Sequence, residues 1–187
     1  MKLLLGQKDV IPNTRNTTDS KNPLCWAARN GHEGIVKLLL EQKDVNPDAR
    51  DTTLGRTPLI LAAEKSHEGI VKLLLKVKDV DPNVRDTAQG ATPLVLAAQF
   101  GREAVVNLLL GQKDVNPDTP DTKYGQTPLS WAAQCGYEGV VKLLLGRKDV
   151  NPNSSSKSGQ TPLTSAVKNG HDTVVKLLQA QHSRRAR

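Results

Sequence analysis

Apolar and polar positions follow one scheme repeatedly along this chain. In Thr57–Leu75, TPLILAAEKSHEGIVKLLL, a Thr-Pro opening precedes Leu59, Ala62 and Ala63 at i, i+3 and i+4, one face of a helix. After a polar break, Ile70, Leu73 and Leu74 mark the buried face of a second short helix. Thr57 suits the N-cap, and Pro58 the first helical position, where its missing N–H leaves no bond unmade. Gly31, Gly101, Gly136 and Gly170 stand near the stop of the first helix, as expected of a left-handed cap residue. The second copy has Ser66 there; a non-glycine residue in that conformation costs about 1–2 kcal/mol, which predicts a weak joint. Glu33–Lys37, Glu68–Lys72, Glu138–Lys142 and Asp172–Lys176 are spaced as i,i+4 ion pairs on the second helix, each worth a few tenths of a kcal/mol. In the third copy Glu103 faces Asn107 and that support is absent. Helices of roughly 8–10 residues do not persist alone in water, so the units must stack.

The copies keep a strict period. Their prolines are Pro23, Pro58, Pro93, Pro128 and Pro162, spaced by 35, 35, 35 and 34 residues, and a Lys-Asp-Val tag recurs at Lys8, Lys43, Lys78, Lys113 and Lys148. A period of this size predicts a stacked repeat architecture. Helix pairs are expected to begin near residues 22, 57, 92, 127 and 161, in a single array over 1–181. Residues 1–11 read as a partial N-terminal half-repeat and 182–187 as a frayed basic tail. Because Met1–Gln7 starts inside a second helix, the chain reads as a piece of a longer array in preference to one closed by a makeshift half-helix. Polar segments such as Asn46–Arg56, NPDARDTTLGR, are rich in turn formers and predict extended, hairpin-like fingers between units. With 37% hydrophobic and 3% aromatic residues, the chain is poor in material for one central core. A solenoid needs less, since each unit buries a face only against its neighbours.

The pattern TPLxxAAxxGHxxxVxxLL followed by DVN resembles the ankyrin repeat over nearly the whole chain. The wording DVNPDARD, PLSWAA and GHEGIVKLLL is similar to arrays in large filamentous-fungal proteins. The resemblance implies an all-α solenoid of antiparallel helix pairs, with long hairpin-like fingers and a concave face that binds partners. Three departures stand out. The histidine of the family's TPLH tetrapeptide is here Cys25, Ile60, Val95, Ser130 and Thr164, which removes its hydrogen-bond network between units. The loop after the second helix lacks the family's glycine at Gln42-Lys43-Asp44, and the finger is longer, giving a period above the family's usual length of about 33.

The chemistry-bearing residues give little sign of catalysis. Cys25 and Cys135 lie three repeats apart, roughly 30 Å at helix-packing distances of about 8–10 Å, too far for a disulfide. They read as free thiols in a reducing compartment. His32, His67 and His171 hold one repeated position, and Gly55, Gly90, Gly125 and Gly159 stand singly, without a phosphate-binding loop. No cofactor or metal is expected. No apolar run is long enough to span a membrane, and MKLLLGQKDV does not read as a secretory signal. Localisation is expected to be cytoplasmic, with the nucleus as the alternative through the terminal SRRAR. The net charge of +7 and a pI near 9.5 raise nucleic acid as a partner. Against it, Arg50 and Arg85 are each followed by an aspartate, many lysines have glutamate neighbours, and aromatics for base stacking are scarce. The basic residues read as a solvated surface with a modest attraction for acidic partners.

Positions that vary between copies carry whatever is specific. Trp26 and Trp131 replace leucines (Leu61, Leu96) and read as packing residues. Phe100 occupies a position that is Asn30, Lys65, Cys135 or Asn169 elsewhere, and Tyr124 one that is Asp19, Leu54, Gln89 or Ser158. Aromatic and arginine anchors dominate interface energetics. The candidate partner-binding set is therefore Arg50, Arg56, Lys65, Arg85, Gln99, Phe100, Tyr124 and Gln134. Phe100 is expected at the centre of an apolar patch that includes Ala91. The function expected is a monomeric, non-catalytic protein-binding scaffold whose partner is acidic with a hydrophobic anchor. One alternative is a small-molecule-binding or enzymatic pathway component using the same groove; another is a structural spacer in a larger signalling protein.

Overall fold

In the computed structural model, which describes residues 22–185, every first helix opens on the same local device. Asn22 Oδ1 accepts the Cys25 N–H at 2.7 Å, and the side chains of Thr57, Thr92, Thr127 and Thr161 accept from Ile60, Val95, Ser130 and Thr164. These bonds satisfy amides that a helix start leaves orphaned, and a proline follows each cap. The resulting first helices are α1 (Pro23–Arg29), α3 (Pro58–Lys65), α5 (Pro93–Gln99), α7 (Pro128–Cys135) and α9 (Pro162–Lys168). Their partners are α2 (Glu33–Leu40), α4 (Glu68–Leu74), α6 (Glu103–Leu110), α8 (Glu138–Leu145) and α10 (Asp172–Arg185). First helices pack on first helices, second on second, and each on its own partner. No strand occurs among the described residues, and the architecture is an all-α solenoid of stacked helix pairs. The half-repeat expected at residues 1–11 lies outside the described residues. At the other end, α10 runs without a break to Arg185 and takes in most of the stretch expected as a tail.

One apolar core threads the whole stack. Leu24, Leu59, Leu94 and Leu129, with the alanine pairs that follow them, are buried against Val36, Ile70, Val105 and Val140 of the second helices. The alanines let neighbouring first helices approach closely. A smaller cluster of Ile60, Ala91, Val95, Leu96 and Trp131 lies apart from it, with Val84 packed against it. Two expectations for the second helix need correction. The buried face is Ile70, Val71 and Leu74, with Leu73 only half-buried. The helix is wedged between its own partner and the flanking second helices, which turns the buried arc toward Val71. In addition, none of the four expected i,i+4 pairs forms an ion pair among the described residues. The Glu33 carboxylate lies over Gly69 of the following unit, and Glu103 over Gly139, where a side chain would collide with it.

The turn between paired helices shows how tightly units stack. Gly31, Gly101 and Gly136 adopt φ of 77°, 66° and 75°. A Cβ on these residues would also meet the ring of His67, Tyr137 or His171 from the next unit, at 2.7, 2.7 and 2.5 Å. Two of those rings bond the preceding unit: His67 Nε2–H donates to Arg29 O and His171 Nε2–H to Gln134 O, both at 3.0 Å. Ser66 keeps the left-handed conformation, with φ 63° and ψ 32°. What covers it differs: the corresponding residue of the next unit is Arg102, a flexible chain whose Nε donates to Glu64 O at 2.9 Å. A serine is thus paired with an arginine where glycine is paired with a ring.

A second row of bonds runs along the outer loops. The first residue of each Asn/Asp-Pro-Asn/Asp triplet accepts the N–H two residues on, as in Asn46 Oδ1 to Asp48 N and Asp81 Oδ1 to Asn83 N. The third residue reaches the next unit: Asp48 Oδ2 accepts from Asp81 N (2.9 Å), Asn83 Oδ1 from Asn116 N (3.2 Å) and Asp118 Oδ2 from Asn151 N (2.6 Å). Asn83 also donates its Nδ2 to Asp114 O at 2.7 Å. Asp48 has no such donor, and its Oδ1 is buried without a hydrogen-bond partner. Burial, with Asp81 nearby, raises its carboxyl above the usual aspartate range despite the Asp81 amide.

Two stability predictions follow from these joints. Ser66→Gly should stabilise the array by about 1 kcal/mol, read as a higher denaturant midpoint, because it relieves left-handed strain. Arg102→His should destabilise the parent and be tolerated in the Ser66→Gly background. A double-mutant cycle with no coupling would remove the proposed pairing. Asp48→Asn should also stabilise, by about 1 kcal/mol, since the amide keeps the bond to Asp81 N and supplies a donor like that of Asn83. Equilibrium unfolding at neutral pH measures this, and a lower midpoint would show that the carboxylate is needed there.

Candidate interaction surface

Three of the described fingers are loops closed on themselves around a buried carboxylate. Asp51, Asp86 and Asp121 are 4%, 4% and 1% exposed. Asp51 Oδ1 accepts from Leu54 N and Arg56 N at 3.0 and 3.1 Å, and Asp86 Oδ1 from Gln89 N and Ala91 N at the same distances. Asp121 accepts from Tyr124 N and Gln126 N. Backbone bonds at 2.9 Å, from Asp51 N to Arg56 O, Asp86 N to Ala91 O and Asp121 N to Gln126 O, close the loops. In the last finger Ser156 takes the aspartate's place. These aspartates are therefore structural and do not neutralise the arginines that precede two of them. Sequence reasoning missed this role, although an aspartate at a fixed interval in a loop was its visible sign.

The fingers are also tied to one another. Arg50 Nη1 donates to Gly55 O in its own finger (2.8 Å) and Arg85 O in the next (2.6 Å); Arg85 Nη1 does the same to Gly90 O and Pro120 O (both 2.7 Å). At the tips, Thr87 N donates to Leu54 O, Thr122 N to Gln89 O and Lys157 N to Tyr124 O. Units lacking the TPLH histidine are thus cross-linked through other residues.

The eight candidate residues fall into three groups. Arg50 and Arg85 are the finger clips just described. Arg56 pairs with Glu64 at 2.5 Å and with the buried Asp86 at 3.3 Å, and Lys65 lies 3.4 Å from Glu64. This network joins helix α3 to two fingers, and only 11% of the Arg56 side chain is exposed. Gln134 accepts from Gln126 Nε2 at 2.9 Å, the neutral counterpart of the Arg56–Glu64 pair. Gln99 instead accepts at 3.4 Å from Gln89 Nε2, which stands at the Tyr124 position of its finger. Phe100 and Tyr124 are exposed, at 38% and 41%. Phe100 caps α5. Ala91 is fully buried in the smaller cluster, so it contributes nothing to an exposed patch around Phe100.

The two tryptophans separate. Trp131 is 9% exposed, donates Nε1–H to Asp121 Oδ2 at 2.9 Å and meets Tyr124 edge-on at 5.7 Å. Trp26 is 41% exposed and lies 4.9 Å from the His32 ring. Charge is also less even than the repeat suggests. Residues 22–149 hold equal numbers of acidic and basic side chains, whereas 150–187 carry Lys157, Lys168, Lys176, Arg184, Arg185 and Arg187 against Asp172 alone.

Reactive groups are subdued. Cys25 and Cys135 are free thiols. Cys25 donates to Ala49 O at 3.2 Å; burial, with Asp51 adding to it, pushes its pKa up to about 12. Burial raises that of Cys135 as well. Neither thiol is activated, since a nucleophilic cysteine requires a lowered pKa. A hollow of 390 Å³ is lined by Glu103, Ala104, Asn107 and Leu143 on the second-helix side, away from the fingers.

Comparison with known families agrees with this architecture. A family model described as ankyrin repeats (3 copies) matches residues 1–86, 45–121, 71–156 and 116–184. No curated protein matches the chain significantly. Ankyrin repeats are generally protein–protein interaction modules, and proteins built from them are typically non-catalytic. Among the described residues, no helix is long and apolar enough to cross a membrane. With capped helix pairs in register across the described residues and the family model matching nearly the whole chain, the chain belongs to the ankyrin-repeat family.

Proposed function

We propose that the array is a non-catalytic scaffold that binds a protein partner through its concave groove and finger tips. The observation that carries this reading is the contrast along the first-helix and finger side. Most polar side chains there are bonded to the scaffold, yet Phe100 and Tyr124 expose large rings at positions that are mostly polar in other copies. Exposed rings held at helix ends and loop tips can bury apolar area against a partner without ordering flexible chains, which is why aromatics recur as binding anchors. The array acts as a monomer in the cytoplasm, where its two thiols stay reduced. Its partner supplies an apolar side chain with acidic residues beside it.

A photo-crosslinking residue placed at Phe100 should capture a partner from native extract, and the same residue at Lys37, on a second helix, should not. Phe100→Ala should then weaken binding of that partner by about 2 kcal/mol or more, with the unfolding midpoint nearly unchanged because the ring is exposed. If the midpoint drops and the affinity does not, Phe100 serves the fold and this reading fails.

A further inference from the structure

Two rows of equivalent positions change character along the array. From the second unit onward, the finger position before the tip is Thr53, Ala88, Lys123 and Lys157, and the last turn of the first helix carries Glu64, Gln99, Gln134 and Lys168. Lys157 N bonds Tyr124 O at 2.9 Å, so Lys123 and Lys157 stand in register on adjacent fingers, both exposed. Lys157 Nζ donates to Thr122 O at 2.5 Å, which leaves two of its three N–H groups to bond elsewhere. Lys123 Nζ lies 5.1 Å from the centre of the Tyr124 ring. That ring rests edge-on against Trp131, whose indole is fastened to the buried Asp121. No aspartate or glutamate occurs from 122 to 137 or from 150 to 171. In the second unit, by contrast, Arg56 is neutralised by Glu64 and Asp86.

Building on the scaffold reading above, we propose that the finger side of the last two units binds an extended acidic peptide segment, with an apolar or aromatic side chain seated on Tyr124. Charge complementarity selects this occupant: Lys123 and Lys157 flank a fixed ring, and the nearest carboxylate, Asp121, is buried and bonded to Trp131 and to its own finger's amides. Spacing adds to the argument. Adjacent units stack at about 8–10 Å, and an extended chain advances about 3.3–3.6 Å per residue. Carboxylates three residues apart would therefore reach Lys123 and Lys157 together. A nucleic acid fits less well, because single-strand binders offer successive aromatics along a continuous basic groove, and the fingers on either side of Tyr124 carry Gln89 and Ser158 at its position.

The test uses the full chain with a random glutamate–tyrosine copolymer, polyglutamate and oligo(dT) as probes, at moderate and at physiological salt. The copolymer should bind most tightly. Lys123→Glu with Lys157→Glu should weaken it at least about tenfold. Tyr124→Ala should reduce the copolymer to the level of polyglutamate, with circular dichroism confirming that each variant remains folded. Phe100→Ala should have no effect on these probes. Copolymer binding that is undetectable, or insensitive to the lysine changes, overturns the proposal, as does oligo(dT) binding equal to the copolymer's. Photo-crosslinkers at Tyr124 and at Phe100 separate the two readings: capture at Phe100 alone retains the scaffold and sinks this site, and capture at neither sinks both.

Discussion

Close approach of neighbouring units is the constraint on which everything else rests. None of the described helices except the last exceeds eight residues, and helices this short are not stable by themselves. Each must place an apolar face on the next unit at contact distance. Alanine pairs allow it between first helices. Glycine allows it at the turns, where the following unit's ring occupies the volume a side chain would need. The Ser66–Arg102 joint shows the same constraint met differently: when the lower residue gains a side chain, the upper one becomes a chain that can bend away while still bonding Glu64.

That approach also sets where polar groups go. Buried aspartates close the fingers, arginines clip one finger to the next, and Asx side chains run a ladder along the outer loops. A polar group buried without a partner costs about 1–3 kcal/mol, so these bonds recur in nearly every unit. Their consequence for function is a rigid polar scaffold with few free groups. Side chains that appear available from composition, Arg50, Arg56 and Arg85 among them, already hold the array together. Phe100 and Tyr124, by contrast, keep exposed rings, and Lys123 and Lys157 keep exposed side chains.

Charge follows a similar division. The body of the array is balanced, and its internal ion pairs fix helix α3 to the fingers. Of the surplus positive charge, most lies in residues 150–187, with six basic side chains against Asp172, and the remainder in residues 1–21, with four basic side chains against two acidic ones. A net charge taken over the whole molecule conceals this, because it averages a neutral central stretch with basic stretches at both ends of the sequence. For a solenoid the average is especially uninformative, since each unit contacts only its neighbours and presents its own surface.

The repeat, the helix pairs, their caps and the left-handed residue at Ser66 were legible in the sequence. Each depends on residues close together in the chain: a threonine with the amide three residues on, a proline at the helix start, apolar positions three and four apart. Tertiary structure alone decided which of those residues serve neighbours. Glu33 was spaced to pair with Lys37, yet it turns to the gap above Gly69. Ala91 read as part of an exposed patch, yet lies beneath Val95 and Trp131. Asp51 read as a counter-ion for Arg50, yet caps finger amides. Glu33 and Ala91 meet residues of another unit 36 and 40 positions away, and sequence spacing carries no information about such contacts. Asp51 meets amides only three and five residues on, but in an irregular loop, where no helical or strand period announces the contact.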